Sequence, residues 1–427
     1  MPIPILLLSD APTASTGLGR ITRDISTRIH ANLSDVFEVG TIGYGGSYSR
    51  ALGFPQYTTE MHDWCVYNLP EVWRDFAGDR KGTLLTIWDS SRLRWLTHPE
   101  TCPDPRLKKF LISQPFEKHA YLPIDATGPH DKLTGILKNT IEGFDRALAY
   151  SQWAHDILRR TLHPAMDVDW VPHGIDTSVF YPRPRVQARH SFGQRINAKY
   201  VKGKKMGQFV SIPDDAFFVG IVATNQIRKD WGLGLSTVAE LAKERNTWVW
   251  IHTDEMERHW SIPALINDFG LQDNAIVTIA EFTDEQMAWC YSACDCTLAI
   301  GLGEGFGFSA AESLACGVPT VAPDYGGGEF IPADLLVKPV AYRIEGPYNC
   351  TRPVMSAKDF ASVARRQNNH HTVCPESIDW NGPTLWPRWE EWLRKGVKAD
   401  GPDGVLHSDK ELGGLAGVLP ELERHSK

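Results

Sequence analysis

Several classes of protein are excluded by what this chain of 427 residues lacks. No apolar run approaches the length needed to span a bilayer. The opening stretch MPIPILLLSDAP has no basic residue ahead of its short apolar run, so it reads as a buried strand and not as a secretion signal. Cysteine is scarce, at eight residues. Cys290, Cys294 and Cys296 lie close together but at no zinc-ligand spacing, and they are expected as buried free thiols of a reduced, cytoplasmic protein. No internal repeat of solenoid length occurs. A net charge of −8 excludes a uniformly basic coat for nucleic acid, although it leaves room for a local basic patch.

What remains is an ordinary globular composition, 42% apolar and 22% charged, in a chain long enough for roughly two to three domains. Short β-branched or aliphatic runs alternate with longer amphipathic stretches, the pattern of a parallel α/β sheet. Strands are expected at Ile3 to Leu8, Phe37 to Ile42, Thr83 to Trp88, Phe110 to Ser113, Ala120 to Ile124 and Arg146 to Tyr150. The alternation restarts at FFVGIVATN, with strands at Trp248 to His252, Ile276 to Ile279, Thr297 to Ile300 and Thr320 to Ala322. Helices are expected through Ile21, Ile25 and Ile29, at Thr237 to Arg245 and at Asp284 to Ala293. Residues 1–182 then form one Rossmann-like unit, 183–212 a basic linker or insertion, 213–375 a second unit, and 376–427 a Trp-rich closing helix and tail. Two doubly wound sheets facing each other turn their carboxyl ends toward one cleft, where ligands of such sheets bind.

The segment GEGFGFSAAESLACG carries the chemistry. Glu304 lies in a loop built from Gly301, Gly303, Gly305 and Gly307, where glycines let the backbone approach a ligand and aim N–H groups at an anion. A helix from Ser309 to Cys316 follows, adding its N-terminal dipole. Ser309 and Glu312 have the spacing of a capping box, which by itself accounts for both. No such structural role competes for Glu304.

EGFGFSAAE resembles the E-x7-E motif of retaining glycosyltransferases of the GT4-like family, which have the GT-B fold. VPHGIDTSVFYP, FTDEQMAWCYSACDCTLAIGLGEGFG and GVPTVAPDYGGGE are similar to family segments in the same order, so the resemblance covers most of the chain. It implies two facing Rossmann-like domains and a nucleotide-diphosphate sugar, UDP- or GDP-linked, as donor, with no tightly bound cofactor and no metal. It further implies that Glu304 holds hydroxyls of the transferred sugar, that Glu312 holds the ribose, and that N–H groups around Phe306, Gly307, Phe308 and Ser309 cradle the diphosphate.

A departing diphosphate needs cations. The family sets an Arg and a Lys five apart after the first strand of the second domain, whereas here Thr224 stands five before Lys229, which leaves Lys229 with Arg228 as its partner. Gly17 and Gly19 in TGLGR resemble the family's N-terminal glycine loop, and Arg20 either reaches phosphate or begins the helix. The pair lacks the third glycine of a dinucleotide fingerprint. Many relatives supply a histidine to the donor sugar from the N-terminal domain, and this chain lacks it at the corresponding strand ends. Asp125, with Asp89 second, is the candidate polar group facing the acceptor hydroxyl, a turn or cap carboxylate being the plain alternative.

The acceptor is open between a glycan, a lipid, a small molecule and DNA. Arg195, Lys199, Tyr200, Lys202, Lys204 and Lys205 belong to a basic stretch that either tracks a phosphate backbone or is a solvated linker. TASTGLGRITRDIS, YLPIDATGP and NQIRKDW resemble a phage-associated branch of these enzymes, some of which glycosylate hydroxymethylated pyrimidines. That keeps a DNA glycosyltransferase in the host cytoplasm as an alternative. A catalytically inactive sugar-nucleotide-binding protein, or a phosphorylase or epimerase of related fold, completes the set.

Overall fold

The computed structural model describes residues 1–59, 68–102, 104–113, 115–195, 212–279, 281–346, 348–367 and 373–396. The basic positions Lys199, Tyr200, Lys202, Lys204 and Lys205 lie outside them, as does the side chain of Arg195.

Seven parallel strands make the first sheet: β1 (Ile3–Asp10), β2 (Phe37–Tyr44), β3 (Gln56–Thr58), β4 (Gly82–Thr86), β5 (Phe116–Leu122), β6 (Arg146–Ala149) and β7 (Asp167–Trp170). They lie in the order β3-β2-β1-β4-β5-β6-β7. The second sheet is also parallel and contains β8 (Phe217–Val222), β9 (Thr247–His252), β10 (Ala275–Thr278), β11 (Cys296–Leu298), β12 (Thr320–Pro323) and β13 (Leu336–Val337). Its order is β10-β9-β8-β11-β12-β13. An antiparallel hairpin, β14 (Ala341–Glu345) and β15 (Cys350–Val354), stands apart. This is the doubly wound α/β pair of the GT-B fold.

Helices cover both faces of each sheet, so central strands are buried on both sides and read as unbroken apolar runs. In β1, Leu6, Leu7 and Leu8 are fully buried. Strand order reverses between β1 and β4 and again between β8 and β11, which opens a crevice at each switch point. The loops after these four strands carry the candidate site.

Two expected strands change. Phe110 to Ser113 is helical, as part of Pro105–Ser113. Asp104 caps that helix, accepting from the N–H of Arg106 at 2.7 Å, and Leu107 and Leu111 are buried one helical turn apart. The neighbouring strand is Phe116–Leu122, earlier than the Ala120 to Ile124 expected, and Pro123 follows its end. The helix expected at Thr237 to Arg245 is Trp231–Ala242, because Asp230 caps it by accepting from Leu233 N at 2.9 Å.

The basic stretch begins as a helix, Arg185–Arg195, docked on the second domain. Phe192 packs against Phe218 and Trp250, with ring centroids 5.2 and 5.8 Å away. Arg183 pairs with Glu285, and Arg185 and Arg189 share Asp295. Three of its cations are therefore neutralised from elsewhere in the chain, which the acid-free local sequence conceals.

The Trp-rich helix Leu385–Lys395 crosses back to the first sheet. Trp389 stacks edge-on to Tyr121 at 4.7 Å and donates to Pro172 O at 3.2 Å, and Arg146 donates to Trp392 O at 3.0 Å. His119 is buried against Trp392. Cys290, Cys294 and Cys296 are buried free thiols. Among the described residues no helix is long and apolar enough to cross a membrane.

Candidate active site

The loop after β8 brings Arg228 and Lys229 onto Glu304, which follows β11. Lys229 Nζ pairs with Glu304 Oε1, Arg228 lies 3.4 Å from Oε2, and Arg228 Nη1 donates to Gly303 O at 3.0 Å. Burial alone pushes the Glu304 carboxyl up, but the two cations outweigh it and hold the group at about 2. Lys229 moves downward, because burial disfavours its charge more than Glu304 restores it. Glu304 thus has a structural role that its glycine-rich loop does not reveal: it neutralises two enclosed cations.

Glu312 is buried, and its side chain is not part of a capping box. The helix runs Phe308–Ala315 and is preceded by Gly307 at φ 88°, with no side-chain cap. The Glu312 carboxylate takes a hydrogen bond from Tyr291 at 2.8 Å and pairs with Arg20 from the other domain. Burial raises its pKa, and Arg20 opposes the rise. Arg20 lies in the first turn of the first helix, Gly17–Asn32. It lies over the rings of Phe180 and Phe308, at 5.2 and 5.0 Å.

The glycines divide by role. Gly17 is exposed, facing the Phe308 ring, and leaves room at the cleft. Gly19 is buried, and a Cβ there would meet Ala14 O at 2.7 Å, so close packing of its helix accounts for it. Gly303, at φ 149°, is crowded by Asp125 O and Arg352, and a Cβ on Gly305 would lie 3.0 Å from Pro123 Cα. At these two positions the close approach is made by the opposite domain, where the sequence pointed to a ligand. The side chains of Phe306 and Phe308 pack on buried His173, at 5.8 and 5.2 Å. The backbone N–H groups of Phe306, Gly307 and Phe308 donate to no group among the described residues. They stay available at the start of the helix, with Ser309 in its first turn.

Across the cleft, Asp125 follows β5 and Asp89 follows β4. Asp125 is bound by Arg352 of the hairpin at 3.2 Å and lies 3.7 Å from Arg228. Arg352 also donates to Asp125 O at 2.7 Å. The cleft walls crowd Asp89 and Asp125 adds a like charge, both pushing the Asp89 carboxyl up, but 53% of its side chain still meets solvent, which damps the effect. Arg352 and Tyr291 escape sequence reasoning. Nothing in PYNCTRPV marks a cleft arginine, and Tyr291 reads as one more apolar helix position.

Residues 214–341 match the sequence model of the family described as Glycosyl transferases group 1. Over the whole chain the fold is similar to sucrose-phosphate synthase from Thermosynechococcus elongatus, with TM-score 0.63 and 16% identity, covering 92% of this chain and 98% of that one. It is equally similar to HepE from Anabaena in complex with UDP and glucose, with TM-score 0.63 and 13% identity over 92% and 100% of the two chains. A glycosyltransferase from Rickettsia africae ESF-5 gives 0.63 and 13% over 93% and 99%. No curated protein matches the chain in sequence. Glu304 and Glu312 both lie inside the matched stretch, as do Arg228 and Lys229.

Proposed function

We propose that the protein moves a sugar from a nucleoside-diphosphate sugar to an acceptor hydroxyl with retention at the anomeric carbon. The observation that carries this reading is the cationic pair Arg228 and Lys229 clustered on Glu304, beside the unpartnered N–H groups of Phe306, Gly307 and Phe308. A diphosphate at those N–H groups draws Arg228 and Lys229 toward itself, and Glu304 is then free to accept hydrogen bonds from hydroxyls of the sugar. Glu312 receives the ribose once Arg20 shares or leaves its carboxylate.

Retention follows from attack on the face the diphosphate leaves. The acceptor oxygen bonds to the anomeric carbon as the bond from that carbon to the phosphate oxygen breaks. The electron pair departs on the phosphate, which takes the acceptor proton. Arg228 and Lys229 stabilise the charge that develops there, and Asp125 or Asp89 orients the acceptor hydroxyl. No strong protein base is needed, so the missing histidine is tolerated. HepE, similar in fold, was solved with UDP-glucose, which supports a uridine donor carrying a hexose. The free thiols of all seven described cysteines suit a reduced, cytosolic setting.

The test is a panel of UDP- and GDP-sugars with sugar acceptors, read by nucleotide release and by NMR of the product's anomeric proton. Turnover with the anomeric configuration kept is expected. Release with inverted configuration refutes the mechanism. Binding of nucleotide without any turnover turns the reading toward an inactive binding protein.

A further inference from the structure

In the first sheet β1, β4, β5 and β6 are neighbours, and a polar group stands at or just past the carboxyl end of each. Asp10 ends β1, Asp89 and Asp125 stand three residues past the ends of β4 and β5, and Tyr150 directly follows β6. Asp10 is used within the fold, accepting from Trp88 Nε1 at 3.1 Å and Thr16 Oγ1 at 2.6 Å. The Asp89 carboxylate has no hydrogen-bond partner among the described residues, Arg92 being its nearest cation at 3.8 Å. Tyr150 is 2% exposed, its ring lies 4.0 Å from that of Tyr121, and its hydroxyl has no partner among the described residues. A buried phenol keeps a bare hydroxyl at a cost, and a ligand hydroxyl relieves it. The negative charges of Asp89 and Asp10 act on that hydroxyl. An acidic row thus has a buried, unsatisfied hydroxyl at its end.

Beyond Tyr150 the rim is aromatic. Trp153 and Tyr325 are half-buried with centroids 5.2 Å apart, and exposed Tyr342 of the hairpin lies 6.1 Å from Tyr325. Flat rings of this kind bury the apolar C–H face of a pyranose, while carboxylates accept from the hydroxyls at its edge.

Granting the sugar transfer proposed above, we propose that Asp89, Asp125 and Tyr150 form an acceptor subsite for an uncharged, polyhydroxylated sugar, with Trp153, Tyr325 and Tyr342 as the platform for the rest of that glycan. Charge carries the choice against a phosphate-bearing acceptor. Once the donor diphosphate holds Arg228 and Lys229, the row retains, among the described residues, only Arg92 and Arg352 as contacting cations. A second anion placed there meets the donor's own charge as well as two carboxylates. A hydroxymethylated base offers one hydroxyl to a row built for several.

The experiment uses the full chain at saturating donor, comparing neutral mono- and disaccharides with their phosphorylated counterparts and with hydroxymethylated DNA. Initial rates are read as nucleotide release. Neutral sugars should exceed phosphorylated ones by about 100-fold in kcat/KM, the size of a like-charge mismatch of several kcal/mol. D89N should narrow that ratio. Y150F should raise the acceptor KM about tenfold, the loss of one hydrogen bond, and lower transfer more than donor hydrolysis. Equal or better use of a phosphorylated sugar or of DNA overturns the proposal, as does a Y150F effect equal on hydrolysis and on transfer. Donor hydrolysis that no neutral sugar accelerates overturns the acceptor assignment and leaves the donor half standing. Absence of release from every donor removes both.

Discussion

Replacing Glu304 by glutamine tests the donor site and its energetics together. The carboxyl sits at about 2 against an ordinary value of 4.5, held there by Lys229 and Arg228 against the opposing effect of burial. At about 1.4 kcal/mol per unit, that difference corresponds to about 3 kcal/mol of stability at neutral pH. The sign follows from a folded pKa lying below the unfolded one. The contribution is complete above about pH 4.5 and drains away as pH falls toward 2. E304Q removes it and leaves Lys229, only 14% exposed, without its paired carboxylate, so the lysine is driven further toward its neutral form. For a domain of this size about 3 kcal/mol is worth roughly 6–12 °C in Tm. Scanning calorimetry of wild type and E304Q from pH 7.5 to 3 should show a gap of that order at neutral pH, narrowing below pH about 4.5. Transfer should fall at least about 100-fold while the protein stays folded, since a few kcal/mol rarely exhausts a domain's stability. A gap that is constant across the pH range would mean the ion pair contributes nothing. Undiminished transfer would sink the donor site.

Arg20 and Glu312 form a buried pair between the domains. R20M should cost about 3–5 kcal/mol by stranding the carboxylate, and E312Q in the same chain should restore about 2 kcal/mol or more of it, as a double-mutant cycle in chemical denaturation measures. Additive losses would show that the two groups do not couple. G305V places methyl groups against Pro123 and should prop the cleft open, with a larger radius of gyration by small-angle scattering and roughly 100-fold slower transfer at nearly unchanged Tm. Wild-type scattering and rate would refute the close-approach role given to that glycine.

Legibility in the sequence followed the range of the interactions. Both parallel sheets and the strand-loop-helix around Glu304 are local patterns, and their glycines and apolar runs mark them within a few residues. Phe110 to Ser113 misled because four apolar or small residues suit either a strand or a helix, and the deciding group, Asp104, lies outside the run. Glu312 looked like a helix cap because its true partner, Arg20, is 292 residues away. Arg183, Arg185 and Arg189 read as part of a basic linker because Glu285 and Asp295 are supplied by a helix of the second domain and the residue before β11. Arg352 was invisible for the same reason, since only the folded hairpin carries it to Asp125. Tyr150 was within reach: it is the last residue of a strand that was expected, in a fold whose ligands gather at strand ends.

The return of the C-terminal helix to the first sheet has a mechanical consequence. The polypeptide passes between the lobes twice, and the two passages are stitched side by side. Ile175 N donates to Ile378 O at 2.7 Å, Trp380 N donates to Ile175 O at 3.0 Å, and Thr177 donates to Asp379 at 2.8 Å. A single tether lets two bodies twist and slide in any direction, whereas a two-stranded ribbon bends readily about one axis and resists torsion. Such a ribbon favours a jaw-like swing of the lobes over torsion or sliding, a swing that keeps Pro123 facing Gly305 and Asp125 facing Arg352.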